Sequence, residues 1–426
     1  MRPLVIEAGK VKQSNGIYQH LLDLPITTGG ENSVLLSAPA LGDPLLYKNG
    51  LLMPKSAWTK ESQSVVQLNT IASAGDNYAV VATTESASVT ASWFAYAKPE
   101  NVVAQWNEGS SSFKLNWTFA TDPDKFYIYR SATTMNPASM PAPIAEVSGS
   151  LYEYYDSGVI RSDKPFYRIG YYVSGVLIVS DEYGPDPYFA NVVALLPLNN
   201  SIDDLSLNPA SVASALTPSY QSFPPFGNGL KLNSDNYLTL TRGTNTDFDL
   251  GVVGAGTEFI MEADITLNSF AEAGIFSHAL PGSGSPDGCG GFGVHITDAK
   301  LAITVSKNSG VGSAWYFFAT SNYVLTTTNP MHLAVRLSNG VARLWINGAE
   351  QSLTINTGAS LYTSNFSGLN TTKTAYGLRI GANGTDSGHP TILYKVSAVV
   401  SNVRITKGVA RYAANFAPSS KPFPNY

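Results

Sequence analysis

Residues 400–412 read Val-Ser-Asn-Val-Arg-Ile-Thr-Lys-Gly-Val-Ala-Arg-Tyr, followed by Ala-Ala-Asn-Phe-Ala-Pro-Ser-Ser-Lys-Pro-Phe-Pro-Asn-Tyr at 413–426. Alternation sends Val403 and Ile405 to one side and Arg404 and Thr406 to the other, as in a half-buried strand. Gly408 is placed to turn the chain. Tyr412 and Phe416 offer rings that can anchor the tail by burial. Pro418, Pro422 and Pro424 keep the tail extended and unable to pair as an edge strand. The stretch therefore predicts a β-structure whose last strand leads into a tail lying across it.

The composition agrees. The chain has 426 residues, of which only 13% are charged, with 37 glycines, 25 prolines and 23 tyrosines. Short strands joined by turns use residues in this way. A net charge of −5 without Lys/Arg clusters argues against nucleic-acid binding. No run of 18 apolar residues is present, so no membrane-inserted helix is expected. The opening MRPLVIEAGKVKQ lacks the apolar core of a signal peptide, and Cys289 is a single cysteine; both fit synthesis in a reducing cytosol.

Pro/Gly punctuation separates three segments. In the first, 1–97, two apolar runs flank Asn49-Gly50, the dipeptide of a tight hairpin, and Ala74-Gly75-Asp76 marks another turn. In the second, 98–187, FKLNW places Phe113, Leu115 and Trp117 on one face. KFYIYR sets Phe126, Ile128 and Arg130 against Tyr127 and Tyr129. The third, 188–426, holds many short strands at regular spacing, among them EFIMEADITLN, GFGVHIT, KLAITVS and MHLAVRLSNGVARLWINGAEQ. It predicts a two-sheet sandwich. The fold class is all-β, with β-sandwich domains in series.

These stretches carry three resemblances. LLYKNGLLM, VVQLN and AGDNYAVV resemble a small β module of tailed-phage fibres and tail proteins. The second segment looks like a fibronectin type III domain; that resemblance makes Trp117 the core tryptophan of the second strand and Tyr167 the tyrosine early in the sixth. The third resembles the concanavalin A-like, laminin-G-like jelly rolls of phage tail and fibre proteins. That likeness rests on DPYFANVVALLPLNNS, NYLTLT…EFIMEADITLN, the MHLAVRL…WING hairpin and, above all, SNVRITKGVARYAANFAPSSKPFP. Met331 stands where that family usually has Trp, and PLNNSIDDL lacks its usual insert. The resemblance implies a structural protein of a phage virion in the tail, its fibres or collar. It further implies attachment by the N-terminal module to other virion proteins, assembly as a homo-oligomer (trimer or ring), and a C-terminal domain that meets bacterial surface glycan or a neighbouring virion protein. A purely architectural decoration protein is the alternative.

Catalysis finds little footing. Sandwich glucanases carry Glu-x-Asp-x-x-Glu, two carboxylates flanking the scissile bond; here Glu262 and Asp264 are followed by Leu267 in place of the second glutamate. No nucleophile elbow or phosphate loop occurs, and the five histidines, His20, His278, His295, His332 and His389, lack metal-ligand spacing. His332, inside an apolar hairpin strand, reads as a core or seam histidine, and Cys289 as a chance thiol in a glycine-rich loop without an adjacent base. No catalytic residue and no obligatory cofactor are expected. Binding has more candidates. The loops 278–293 and 381–391 carry Asp287, Asn383 and Asp386, hard oxygen ligands of the kind calcium takes, although calcium sites usually gather more carboxylates. Trp315 and Tyr316, followed by Phe317, could stack on a sugar face, while alternation would send some of the three to the core.

Overall fold

A computed structural model describes residues 10–12, 18–24, 33–37, 39–60, 63, 65–68, 75–85, 91–94, 97–120, 122–173, 176–233, 235–243, 246–278, 291–306, 315–326, 328–356, 364–368, 371, 377–382 and 394–426. Among them the regular structure is β-strand with four short 3₁₀ turns and no α-helix. Among the described residues no helix is long and apolar enough to cross a membrane. By internal contacts the chain forms two units, 1–185 together with Tyr426, and 186–425.

The first unit contains four sheets and two main cores. Strands Lys10–Lys12, Tyr18–Asp23, Tyr78–Thr84, Leu45–Lys48 and Leu51–Leu52 form a five-stranded antiparallel sheet. Trp58–Lys60, Val65–Leu68, Ser33–Leu36 and Ala91–Phe94 form a four-stranded one. Leu46, Val80 and Ala82 from the first sheet and Val34, Val66 and Leu68 from the second share one apolar cluster. The predicted hairpin is present: Asn49 and Gly50 have φ +51° and +79°. Asn49 Oδ1 also accepts from the Asn77 amide at 2.9 Å, tying this turn to the one at Gly75-Asp76.

Residues 98–185 build a three-stranded sheet, Glu100–Asn107, Ser112–Thr118 and Glu153–Asp156. It is accompanied by a four-stranded one ordered Ala145–Ser148, Lys125–Ser131, Phe166–Val173, Val176–Val179. Phe113, Leu115, Trp117, Phe126, Ile128, Tyr167 and Ile169 fill the core, as the alternation requires. Arg130, on the same face as Ile128, pairs both Asp156 oxygens at 2.8 Å, and buried Tyr167 donates its hydroxyl to Asp156 Oδ2 at 2.8 Å. A buried charge is thus neutralised and hydrogen-bonded at the core's edge. Tyr129 packs on the opposite face with Met135 and Val179. Tyr426 groups with this core, its ring 4.6 Å from Phe113.

The second unit is a sandwich of two antiparallel sheets of eight strands each. The first sheet runs Tyr220–Ser222, Asn228–Leu232, Ala398–Lys407, Glu258–Leu267, Met331–Ser338, Val341–Ile346, Ala349–Gln351, with Val192–Leu196 also pairing Ala398–Lys407. The second runs Ser211–Ser214, Leu238–Thr241, Leu378–Ile380, Ala273–His278, Gly291–Thr297, Lys300–Ser306, Trp315–Val324, Leu353–Ile355. Phe259, Met261, Phe276, Phe292, Ile303, Phe317, Val335 and Ile405 lie in the shared core.

The strand of the opening stretch therefore occupies the sheet's interior. Ala398–Lys407 pairs Glu258–Leu267 along one side, and Asn228–Leu232 and Val192–Leu196 along the other. It is buried on both faces, not half-buried, with only Lys407 partly exposed. Its register shifts between Glu262 and Asp264, and Asn402 sits there at φ +50°. This bulge inserts one residue. Ala398 and Val400 before it, and Val403 and Ile405 after it, consequently all reach the core. Unbroken alternation would have turned one half outward.

The tail crosses this sheet's outer face as expected, held by hydrogen bonds to its backbone and by its buried rings. The Phe416 amide donates to Gly348 O at 3.0 Å, Arg336 donates to Tyr412 O at 3.0 Å, and Arg343 to Ala413 O at 2.9 Å. Tyr412 and Phe416 stack at 3.6 Å, both half-buried, whereas Phe423 is the deeply buried anchor. Gly348 permits this approach: it has φ +74°, and a Cβ there would lie 1.8 Å from Phe416 O. Gly348→Ala is expected to cost about 1–3 kcal/mol and to expose the tail to protease after Gly408. Wild-type resistance to limited proteolysis in that variant would refute the contact.

Candidate binding surfaces

The two carboxylates that carried the enzymatic reading lie on the first sheet's outer face, under the tail. Glu262 is fully buried; its Oε1 accepts from Arg404 Nε at 2.9 Å and from Arg404 Nη2, with Tyr412 Oη 3.3 Å away. Arg404 Nη1 reaches Asp186 Oδ2 at 3.0 Å, and Arg411 grips both oxygens of Asp186 at 2.9 and 2.7 Å. Phe423 covers the group, its ring centre 3.6 Å from the Arg404 guanidinium carbon. Burial alone would raise the Asp186 carboxyl, but Arg411 and Arg404 hold it below the usual carboxylate range. Asp264 accepts from Asn402 Nδ2 at 3.0 Å and faces His332 Nδ1 at 3.1 Å. Asn402 Oδ1 in turn accepts from the Phe423 amide at 2.9 Å. At the sheet's end Arg336 pairs Glu258 at 2.7 and 2.8 Å; there too burial opposes ionisation, and Arg336 with Ser338 outweighs it, keeping the Glu258 carboxyl low. Each of these carboxylates is matched by donors within the fold. The arrangement is a locked structural network.

The second sheet's outer face has a different chemistry. Leu301, Ile303 and Val305 point into the core, so Ala302, Thr304 and Ser306 point away from it. Register sets Ser277, Gly293, Thr304 and Phe318 side by side, with Arg379 next to Ser277 and Gly291 next to Ser306. Ser277, Thr304 and Ser306 are fully buried hydroxyls; Ser277 Oγ donates to Ala382 O at 2.8 Å. Phe318 is partly exposed, with His295 6.0 Å away. Burial lowers His295 to about 4. The face is a strip of small hydroxyls and glycines between an aromatic ring and a guanidinium. The hydroxyls are enclosed within the fold, and Phe318 and Arg379 are the partly exposed members of this strip.

The sequence candidates map unevenly onto this face. Trp315 and Tyr316 begin the strand Trp315–Val324, with Trp315 opposite Ser306. Phe317 is in the core against Phe366 at 5.0 Å. Asp287, Asn383 and Asp386, like Cys289 and His389, lie outside the described residues. The stems of their loops separate: His278 ends its strand beside Leu378, whereas Gly381, three residues further along, bonds Ile275 O at 2.8 Å. Among the described residues no group of three or more His, Cys, Asp or Glu is placed to hold a metal ion. His278 stacks on Phe292 in the interior, 5.6 Å between ring centres. His332 is buried at the seam between sheet and tail. Sequence reasoning missed Ser277, Thr304, Ser306 and Phe318. The alternation of KLAITVS was the available signal, since it places two hydroxyls opposite an apolar face.

No protein-family model matches the chain, and no curated protein is similar to it at a significant level. Among solved structures it is similar to the binding domain of botulinum neurotoxin serotype C1, at 14% identity and TM-score 0.35, over 52% of this chain and 50% of that one. Similar too is the binding domain of botulinum neurotoxin DC, solved with rat synaptotagmin II, at 14% identity, TM-score 0.35 and the same coverages. Domain 4 of AbnA, a GH43 extracellular arabinanase from Geobacillus stearothermophilus in complex with arabinotriose, matches at 16% identity and TM-score 0.33, over 51% of this chain and 93% of that one. The chain spans about half the length of the toxin domains it matches. Likeness at this level assigns neither a family nor a ligand.

Proposed function

We propose that the chain is a non-catalytic, structural component of a tailed-phage virion whose C-terminal sandwich binds bacterial surface glycan. In this reading residues 1–97 attach to other virion proteins in a homo-oligomer, 98–187 form a fibronectin type III spacer, and 188–426 are a concanavalin A-like jelly roll. Several copies per particle turn weak contacts into avidity. The spacer reading is supported by the three-plus-four strand arrangement around Trp117 and Tyr167. The observation that carries the binding reading is the contrast between the two outer faces of the C-terminal sandwich. The acidic face is paired with arginines and covered by the chain's own tail. On the other face the hydroxyls are enclosed and Phe318 and Arg379 are partly exposed, a ring and a guanidinium that suit the stacking and hydrogen bonding of an uncharged polyol.

Purified protein is expected to be retained on an array of bacterial surface polysaccharides without releasing reducing sugar. Phe318→Ala should weaken retention about tenfold, the loss of ~1.4 kcal/mol. If every glycan is ignored while the protein co-purifies with particles at fixed copy number, the architectural alternative replaces this one. Release of reducing sugar would end the non-catalytic reading.

A further inference from the structure

The five-stranded sheet of the first unit turns only one face to its core. Leu22, Leu46, Val80 and Ala82 point inward, so the residues between them on the same strands point outward. Register places Leu21, Val81 and Leu45 in one row across three strands of this outer face. Tyr47 and Leu52 stand side by side in the row on one flank, and Gln19 and Thr83 in the row on the other. The leucines meet solvent: Leu21 is 50% exposed, Leu45 44% and Leu52 56%, against 0% for Leu46 and Val80 on the inner face. Val81, Tyr47, Gln19 and Thr83 are partly exposed. None of these seven side chains is charged. Asp23 ends its strand at a corner of the face, in register with Ala79.

A row of exposed leucines on a sheet face marks a surface that another protein covers. Charge selects that protein. The chain carries a net charge of −5, so two copies repel across most of their surface. The sheets of residues 98–185 carry ion pairs on their outer faces, Lys114 with Glu153 at 3.1 Å and Lys125 with Glu146 at 2.8 Å. A two-fold contact sets one patch against itself, which brings like charges together on faces of that kind. The uncharged face meets its own copy without this cost. A two-fold axis through Val81, along either the row or the strand, lays the central row of one copy on the central row of the other. It also moves the Asp23 position onto that of Gln19 or Tyr47, away from its own counterpart. Four strands about 4.8 Å apart, with five residues about 3.4 Å apart along each, give a patch on the order of 15 Å each way. That is the weak end of specific interfaces, so copies should associate at micromolar concentration.

We infer that this face is a contact between two copies of the chain, with Leu21, Val81 and Leu45 of one packed on the same row of the other. The inference rests on the homo-oligomer proposed for residues 1–97 and supplies its interface. The test is sedimentation equilibrium of the full chain between about 1 and 100 µM, where wild type should pass from monomer to dimer. Leu21→Asp with Leu45→Asp in one chain should weaken dimerisation about tenfold or more, and Leu21→Lys with Leu45→Lys should do the same. Mixing the two variant chains should restore a one-to-one dimer, because an acidic row then meets a basic one. Both positions lie outside the core, so each variant should melt like wild type. Where a charged variant melts early, Leu21→Ser with Leu45→Ser replaces it, again with weaker dimerisation expected. A wild type that stays monomeric, a trimer, or a folded variant that dimerises like wild type would overturn the inference. So would a mixture of folded variants that stays monomeric. Co-purification with phage particles is scored separately. Dimers that never enter particles leave this interface standing and end the virion reading, and a monomer found in particles at fixed copy number does the reverse.

Discussion

Replacing Arg404 by methionine is expected to cost the 186–425 unit about 3–5 kcal/mol, because the change strands buried charge. Glu262 is fully buried and receives two of its hydrogen bonds from this guanidinium. Asp186, also buried, receives a third and would keep only Arg411 as its cationic partner. Phe423 would lose the cation beneath its ring, loosening the tail at its deepest anchor. Removing both partners should hurt far less: Arg404→Met with Glu262→Met leaves Asp186 paired to Arg411 and replaces an ion pair by apolar volume. Calorimetry of the full chain reads both. A single variant costing under about 1 kcal/mol, or a double variant no better than the single, would show that the network does not hold the sheet and tail together.

Acid should weaken the same unit in two stages. His295 is almost completely buried, and burial lowers it to about 4, against an ordinary value near 6.5. The unfolded chain therefore binds this proton more readily than the folded one. Stability present above about pH 6.5 is lost as pH falls toward 4, on the order of 3 kcal/mol in full. Asp186 and Glu258 act below that window. Their depressed carboxyls contribute stability above the ordinary carboxylate value of about 4, and it drains away as pH drops through their lower folded values. The measurement is the unfolding midpoint of wild type minus that of His295→Asn between pH 7.5 and 4. Subtraction removes every other titration, so the wild-type advantage should shrink steadily with acid. A difference that stays flat would mean that His295 does not titrate low.

The candidate surfaces were legible in the sequence to very different degrees. Glu262 and Asp264 were visible as a broken catalytic pattern, and the missing second glutamate already argued against cleavage. That Arg404 neutralises Glu262 was not readable, since the partners are 142 positions apart. Thr304 and Ser306 announce their face by alternation, but which strands lie beside them depends on pairing over the whole sheet. Phe317 belongs to the core, and the aromatic ring described on the outer face is Phe318, because one residue of register decides the face.

Local rules therefore reached the strands, the Asn49-Gly50 turn and the tail. Asn49-Gly50, Asn339-Gly340 and Asn347-Gly348 all adopt positive φ, the conformation those residues tolerate best. The alternation of FKLNW and KFYIYR correctly divided core from outer face, because a strand's side chains obey a period of two wherever they sit. Folding alone settled that Ala398–Lys407 occupies the middle of its sheet, that Asn402 bulges so both halves face inward, and that Phe423 seals the charged network. Those features depend on which distant segment supplies the neighbouring backbone, and a chain's local periodicity carries no information about its partner.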